Sequence, residues 1–182
     1  MPNKYLGLAR GPIDHQSSSV INAISNDDIT MGDSLIITAV IPETELLPRV
    51  ETSPVLTNQV IYGIAVGGDT DGIYGDGSPA TDDSTRATAG AGQGVVVVTQ
   101  GRCLARVAGK IQDDTSSIAD SVIVPGDALV PDPTIAGRLV KAPTAVDIPV
   151  HIIARALQDG DSGADNIIAV DIQREGFVEL QT

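Results

Sequence analysis

Residues 126–172 read GDALVPDPTIAGRLVKAPTAVDIPVHIIARALQDGDSGADNIIAVDI, and a looser copy of this pattern precedes them. The earlier copy runs from Gly32-Asp33-Ser34-Leu35 through Ile61-Tyr62-Gly63-Ile64-Ala65 to Gly94-Val95-Val96-Val97-Val98. Each copy passes from a Gly-Asp turn to a short apolar segment that ends in a basic residue. An apolar run, a Gly/Asp-rich turn and a Val/Ile strand follow. Such self-similarity in a chain of 182 residues predicts a duplicated small β unit.

The hydrophobic core has to form almost without aromatic side chains. The chain contains three Tyr, one Phe and no Trp, so Val, Ile, Leu and Ala must supply the buried area. Each of the larger aliphatic side chains contributes about 1.5–3 kcal/mol when fully buried. Because aromatic residues usually anchor small β cores, we expect part of the stability to come from neighbouring subunits or a partner surface.

The strongly acidic composition excludes two classes of partner. With 24 acidic and 11 basic residues, the formal net charge is −13. A field of that sign repels phosphate backbones and anionic lipid headgroups. We therefore expect binding neither to nucleic acid nor to a membrane. Much of the charge is Asp in predicted turns, where the side chain bonds to nearby backbone.

The compartment follows from the single cysteine and from the N-terminus. Cys103 has no partner for an internal disulfide, and its place in an apolar strand predicts a buried, inert thiol. The N-terminus lacks the apolar region of a signal peptide, and no apolar run is long enough to span a bilayer. The sequence predicts a soluble protein that is made in a reducing cytoplasm.

Turn signals separate many short apolar runs, and this spacing is typical of a β-sandwich or β-barrel. We predict strands at residues 34–41, 60–66, 121–124, 128–130, 138–141, 148–157 and 167–172, one or two strands at 95–107, and one helical turn within 110–120. Arg102 and Arg106 are expected to face outward.

Three regions follow from this pattern. Residues 1–28 form an extended N-terminal arm, residues 29–108 a first β module with a long Gly/Asp loop at 67–94, and residues 109–182 a second β module. The predicted fold is all-β, a compact barrel or sandwich built from two related short-strand modules.

The predicted arm carries apolar side chains although it shows no sustained periodicity. Its apolar residues are Tyr5, Leu6, Leu8 and Ile13. A purely solvated tail has no need of them, so we expect the arm to dock on its own body or on a neighbouring subunit. The alternative is a partly disordered terminus.

The long loop contains closely spaced carboxylates at Asp69, Asp71 and Asp76. Carboxylate oxygens on a pliable loop are possible ligands for Ca²⁺. The spacing departs from the EF-hand pattern, which needs further ligands and a terminal Glu, so a solvated flexible loop is the simpler interpretation. We predict no cofactor.

No catalytic motif stands out. His15 lies in the arm and His151 lies inside an apolar strand, so neither sits in a recognisable Ser-His-Asp pattern. The Gly-rich residues 90–94 precede a strand, whereas a phosphate-binding loop would precede a helix. The two Gly-Asp turns, at residues 32–33 and 126–127, read as structural because Gly accepts a positive φ and Asp accepts backbone N–H bonds. We expect a protein that is not an enzyme.

The second module resembles a family of tailed-phage capsid decoration proteins, also called cement proteins. The segments that carry the resemblance are GDALVPDPTIAGRLVKA, VHIIARALQDGDSG and NIIAVDIQ, and the match extends over about residues 90–175. The resemblance implies a barrel-like body, commonly a homotrimer, on the outer surface of the assembled head. It implies the major capsid protein as partner and the capsid exterior as location. From the apolar residues of the arm we further expect Tyr5, Leu6, Leu8 and Ile13 to make capsid or inter-subunit contacts.

Two other functions stay open on the sequence. Gly11-Pro12-Ile13-Asp14 and Gly72-Ile73-Tyr74-Gly75 faintly resemble motifs of trimeric all-β nucleotide hydrolases of the dUTPase type, although their order and surroundings do not fit. Another part of the virion, such as a head fibre or a tail component, is the second alternative. A fibre usually needs a long repetitive shaft, which this sequence lacks.

Overall fold

The computed structural model describes residues 19–38, 47–55, 60–68, 88–112, 117–143 and 149–179. Within these ranges every helix or strand element is a β-strand, which confirms the all-β prediction. The strands are β1 (Ser19–Ser25), β2 (Ile29–Thr30), β3 (Ser34–Ile37), β4 (Arg49–Thr52), β5 (Gly63–Gly68), β6 (Thr88–Ala89), β7 (Gly94–Gln112), β8 (Ile118–Asp120), β9 (Ala128–Pro131), β10 (Leu139–Lys141), β11 (Pro149–Ala156) and β12 (Asp165–Glu179).

Two rings of five strands close into barrels. In the first barrel the order is β1-β4-β3-β5-β7, and β7 pairs again with β1; in the second it is β7-β10-β9-β11-β12, and β12 pairs again with β7. Each barrel contains one parallel pair, β1–β4 in the first and β7–β10 in the second. Closing a sheet on itself removes exposed strand edges.

Strand β7 belongs to both barrels. Its beginning pairs with β1 and β5, and the part from Gly101 to Ala108 pairs with β12. At about 3.3 Å per residue its 19 residues span roughly 60 Å, which is enough to run through one barrel into the next. Gly101, with φ of +92°, lies where the strand passes between them, and such a φ favours glycine.

The Gly-Asp turns occupy equivalent places in the two barrels. Gly32 has φ of +94° and Gly126 has φ of +95°. The Gly32 N–H donates to the Ala65 carbonyl at 2.7 Å, and the Gly126 N–H donates to the Ala156 carbonyl at 2.8 Å. Equivalent hydrogen bonds therefore join the first turn to β5 and the second turn to β11, which hold the same place in the strand order of the two barrels.

The Asp residues of the two turns repeat this equivalence. The Thr30 N–H donates to Asp33 Oδ2 at 2.8 Å, and the Val124 N–H donates to Asp127 Oδ2 at 2.9 Å. The Asp33 N–H donates to the Thr30 carbonyl and the Asp127 N–H donates to the Val124 carbonyl, each at 3.1 Å. Two barrels of the same strand order with matching turn bonds confirm that the body is built from two related modules.

Two clusters of aliphatic side chains fill the barrels. The first barrel encloses Ala23, Ile29, Leu35, Val50, Ala65, Ala89, Val95 and Val97. A larger cluster fills the second barrel and includes Ile64, Val66, Val96 and Val98 of β5 and β7. Because side chains alternate along a strand, these four lie on the opposite face from Ala65, Val95 and Val97. The second core therefore continues onto the outside of the first barrel and joins the two modules.

The strands of the structure cross the predicted boundaries between the arm, the first module and the second module. Strand β1 lies within residues 1–28, the predicted arm, and its Ala23 and Ser25 are buried in the first barrel. Residues 1–18 lie outside the described residues. The predicted boundary at 108/109 falls inside β7, because one strand serves both barrels.

Local differences concern residues 110–124 and the last strand. The predicted helical turn within 110–120 is wrong for the described part of that range, which continues β7 to Gln112 and forms β8. In the predicted strand 121–124 only Ile123 makes a bridge, to Gly160. Strand β12 extends well beyond the predicted 167–172, and its distal part pairs with β11 from Pro149 to Ile152.

Candidate interaction surface

Most of the predicted site residues lie outside the described residues. These are the arm residues Tyr5, Leu6, Leu8 and Ile13, the loop carboxylates Asp69, Asp71 and Asp76, and His15. The segments 11–14 and 72–75, which faintly resemble nucleotide hydrolase motifs, also lie outside them. The predictions attached to all these positions remain predictions.

His151 and Cys103 are buried. The Nδ1 atom of His151 accepts a long hydrogen bond of 3.4 Å from the Ile61 N–H, so the imidazole contributes to the contact between β11 and the segment before β5. Burial, helped by the nearby Asp171 carboxylate, raises the pKa of the Cys103 thiol. A neutral, enclosed thiol agrees with the predicted inert role.

In the described ranges no group of three or more His, Cys, Asp or Glu residues is placed to hold a metal ion. The same part of the chain contains no helix long and apolar enough to cross a membrane.

The turn at residues 30–33, here called the covered turn, is packed against the second half of β7. The Arg106 N–H donates to the Gly32 carbonyl at 2.9 Å, and Arg106 Nη1 forms an ion pair with Asp33 Oδ1 at 2.7 Å. A Cβ added to Gly32 would lie 2.9 Å from both the Arg106 nitrogen and its Cγ. Arg106, predicted to face outward, instead contacts the first module. Arg102 is exposed, as expected.

The loop between β9 and β10 closes the other side of this junction. The Ser34 N–H donates to the Gly137 carbonyl at 2.6 Å, and the Gly137 N–H donates to the Ser53 carbonyl at 3.0 Å. Gly137 has φ of +77°, and a Cβ there would lie 3.0 Å from the Asp33 carboxyl group. The loop PDPTIAGR, which belongs to the first of the three segments that resemble decoration proteins, therefore contacts the first module.

A buried ion pair holds that loop in shape. Arg138 Nε donates to Asp132 Oδ2 at 2.7 Å, with both side chains almost fully buried, and Arg138 Nη1 also pairs with Asp165. The other oxygen of Asp132 accepts the Thr134 N–H at 2.7 Å. Because both carboxylate oxygens and the guanidinium have partners, the desolvated charges are compensated.

Asp33 is the titratable group at the centre of the junction. Burial raises the pKa of its carboxyl group above the ordinary value of 3.8, although the Thr30 N–H and the Arg106 guanidinium act in the opposite direction. The nearby Asp27 carboxylate also raises the pKa. At this junction the ionised form of Asp33 is therefore destabilised by the loss of hydration.

The turn at residues 124–127, here called the open turn, has no such cover. No atom lies within 4 Å of the position of a Cβ on Gly126, and Asp127 pairs with Lys141 of its own barrel at 2.9 Å. Around it Val122, Val124 and Leu157 expose between 37% and 51% of their surface. The open turn therefore has the same geometry as the covered turn, but it is exposed and apolar side chains flank it.

A polar cavity of about 540 Å³ lies where β7 passes between the barrels. It is lined by Thr99, Gln100, Gly101, Arg102, Asp171, Ile172 and Gln173. Gln173 Nε2 donates to Asp171 Oδ2 at 2.9 Å, and Asp171 lies opposite Arg102 in the ladder. The lining residues include no Ser, Cys or His.

Comparisons with known proteins were made against families, curated proteins and solved structures, and the solved structures include a distant likeness. No family model matches the chain, and no curated protein matches it. Among solved structures, the chain is similar to the gp8.5 N base of the head fibre of bacteriophage phi29, with 13% sequence identity and a TM-score of 0.47. The similarity covers 86% of this chain and 95% of that one.

Proposed function

We propose that this protein is a structural component of a phage virion that binds the outer surface of the assembled head. In this proposal it acts as a decoration protein, bridging capsomers through contact with the major capsid protein. The protein has no catalytic role in the proposal, and its contribution is the surface that it covers and the subunits that it joins.

The observation that carries the proposal is the place of the family-like segments in the fold. The three segments that resemble decoration proteins supply the Gly-Asp pair of the open turn, β9, β10, most of β11 and about the first half of β12, and these strands form the second barrel together with β7. The resemblance thus covers one closed structural unit, including the loop that contacts the first module. A match scattered over unrelated elements would give less support.

The shape and charge of the body suit such a role. Two barrels fused through one strand and a shared core can span a boundary between capsid subunits as a single unit. The net charge of −13 suits the outside of a head, away from packaged DNA. Many copies on one lattice gain strength from multivalent attachment without a single strong contact.

We further propose that the arm makes part of the capsid contact, with Tyr5, Leu6, Leu8 and Ile13 as anchors. The test is a truncation of residues 1–18, which stops before Ser19 because β1 belongs to the first barrel. Occupancy on purified heads should fall while the thermal unfolding midpoint of the free protein stays within about 2 °C of the full chain. Unchanged occupancy would refute the role of the arm.

The experiment that tests the function is a cryo-electron microscopy reconstruction of the virion from the phage that encodes this chain. The proposal expects density for the two barrels on the outside of the head lattice. Density at the base of a head fibre or in the tail would favour the other virion roles, and absence from the virion would overturn the proposal. A nucleotide-hydrolysis assay on the free protein tests the dUTPase-type alternative.

A further inference from the structure

Next to the open turn, the second module exposes a residue whose equivalent is buried in the first module. The Ala65 N–H and the Ala156 N–H each donate, at 2.9 Å, to the carbonyl of the Asp in their own turn. These bonds make the next residues, Val66 and Leu157, equivalent as well. Val66 is buried in the core that joins the two modules, whereas Leu157 is 37% exposed.

Two valines beside the open turn are exposed in the same way. Val122 and Val124 are 51% and 44% exposed, and Ile123 between them is fully buried. Ile123 exchanges two backbone hydrogen bonds with Gly160, at 3.0 and 3.1 Å, so this segment is held in place and both valines lie on its solvent side. Val122, Val124 and Leu157 are called the apolar patch below.

The polar groups of the open turn already have partners in their own module. Asp127 Oδ2 pairs with Lys141 Nζ at 2.9 Å, and the Gly126 carbonyl accepts a 3.3 Å bond from Arg155 Nη1. The acidic side chain of the turn is thus compensated locally, in a chain whose net charge is −13. The contact that this surface offers to a partner is therefore apolar and leaves these bonds intact.

The cover of the equivalent residue inside the chain indicates which chemistry fits the patch. Val66 packs in a cluster that consists of aliphatic side chains and Cys103. The patch is small, because three partly exposed aliphatic side chains fall far short of the roughly 800 Å² that each partner buries in a standard stable complex. Such a surface suits one of many repeated contacts on a lattice better than a stable pair of free molecules.

We propose that the apolar patch contacts the major capsid protein, at a surface of aliphatic side chains on the outside of the head. This inference rests on the proposed function and names the face of the protein that meets the capsid. The first module has no free equivalent of this face, because its turn packs against Arg106 and Val66 is buried. The second module therefore makes this contact, in addition to any contact of the arm.

The test is binding of the purified variant Val122→Asp/Val124→Asp to heads that have been prepared without this protein. Val60→Asp is the matched control, because Val60 is 62% exposed and lies outside the patch. The wild type and the control should bind equally, whereas the double variant should bind about tenfold or more weakly because it places unpaired charge in an apolar contact.

Thermal unfolding of the free proteins checks that each variant is folded. If the double Asp variant does not fold, Val122→Ser/Val124→Ser takes its place. This uncharged variant should bind about threefold or more weakly than the wild type, because less apolar surface is buried in the contact.

Equal binding of a folded patch variant and the wild type would overturn the inference and leave the proposed function standing. A wild type that does not bind the heads would overturn the proposed function, and the inference with it. A smaller mass of the free patch variant in analytical ultracentrifugation would assign the patch to contact between copies of this chain instead. An unfolding midpoint lowered equally by the patch variant and by truncation of residues 1–18 would assign it to the arm, and either result would overturn the inference.

Discussion

The covered turn and the open turn have matching internal bonds and opposite surroundings. Each has a Gly with φ near +95° and an Asp that accepts the N–H three residues before it. The covered turn is packed against Arg106 and Gly137, whereas Gly126 faces open space. Asp33 finds its cation in the other module, while Asp127 finds Lys141 in its own.

This difference shows that the local sequence determines the conformation of the turn. Whether other residues pack on the turn depends on where the other module lies along the chain. The first module has Asp28 and Thr30 at the two positions where the second has Val122 and Val124. Polar residues thus flank the turn that a sister module already covers, and apolar residues flank the turn that has no cover.

The largest expected effect tests whether the two barrels contribute equally. Leu35 and Leu129 occupy equivalent positions after the two turns, and both are fully buried. Replacing either with Ala should lower the free energy of unfolding by about 2–5 kcal/mol, because the cavity adds to the lost burial. Urea denaturation should show one transition in each variant. Two separate transitions would mean that the barrels unfold independently.

The next comparison uses the glycines of the turns. Ala at position 126 has to adopt a positive φ in open space, at a cost of about 1–3 kcal/mol. Ala at position 32 meets the same strain and also the Arg106 backbone at 2.9 Å. Gly32→Ala should therefore lower the free energy of unfolding by at least about 1 kcal/mol more than Gly126→Ala. Equal losses would contradict the covered state of the first turn.

The Asp33 carboxyl group makes the junction sensitive to pH. Its raised pKa means that the folded protein binds the proton more tightly than the unfolded chain does. Its contribution to stability is therefore fully present below pH 3.8 and is lost as pH rises through the raised value. Asp33→Asn lacks this titration, so the stability of the wild type relative to the variant should fall as pH rises through that window. Urea denaturation over a pH series measures the difference.

A double-mutant cycle separates the ion pair from the other contacts of Asp33. We expect a coupling of about 1 kcal/mol between Asp33→Asn and Arg106→Met at neutral pH, because the pair is partly buried and charge-assisted. A coupling near zero would show that Arg106 covers the turn through its backbone and its aliphatic stem alone.

The smallest expected net effect concerns a polar pair that only the first module has. The hydroxyls of Ser34 and Ser53 lie 2.6 Å apart and are buried, whereas the second module has Ala128 and Ala142 at these positions. Ser34→Ala alone should cost about 1–3 kcal/mol, because it leaves a buried hydroxyl without its partner. Ser34→Ala/Ser53→Ala should be close to neutral. A double variant that is less stable than either single one would contradict this account.

Much of the fold could be predicted from the sequence because the turn residues of the two modules repeat. Gly32-Asp33 and Gly126-Asp127 mark equivalent turns, and the Val/Ile runs mark the strands that close the barrels. The sharing of β7 between the two barrels could not be predicted, because residues 94–112 have the apolar runs and alternation of an ordinary strand and nothing local marks the passage from one barrel to the other. Gly101 is the only signal there, and a single Gly in a strand has several meanings.

The junction was harder to predict than the strands. Arg106 sits in an alternating pattern that favours an outward direction, and its partner Asp33 is 73 residues earlier. Gly137 looks like an ordinary turn residue until its contact with the Asp33 carboxyl group is known. Ion pairs and close backbone approaches between distant segments leave no periodic trace in a sequence, whereas duplicated turns do.

The most direct test of the fused two-barrel body is native-state hydrogen exchange of three backbone amides. Val97 lies in the first barrel, Val107 lies in the second, and the Arg106 N–H crosses the junction to Gly32. If the shared strand makes one cooperative unit, all three amides should exchange only through global unfolding, with the same opening free energy as urea denaturation gives. A clearly lower opening free energy for Val97 or Arg106 than for Val107 would show two barrels that merely touch.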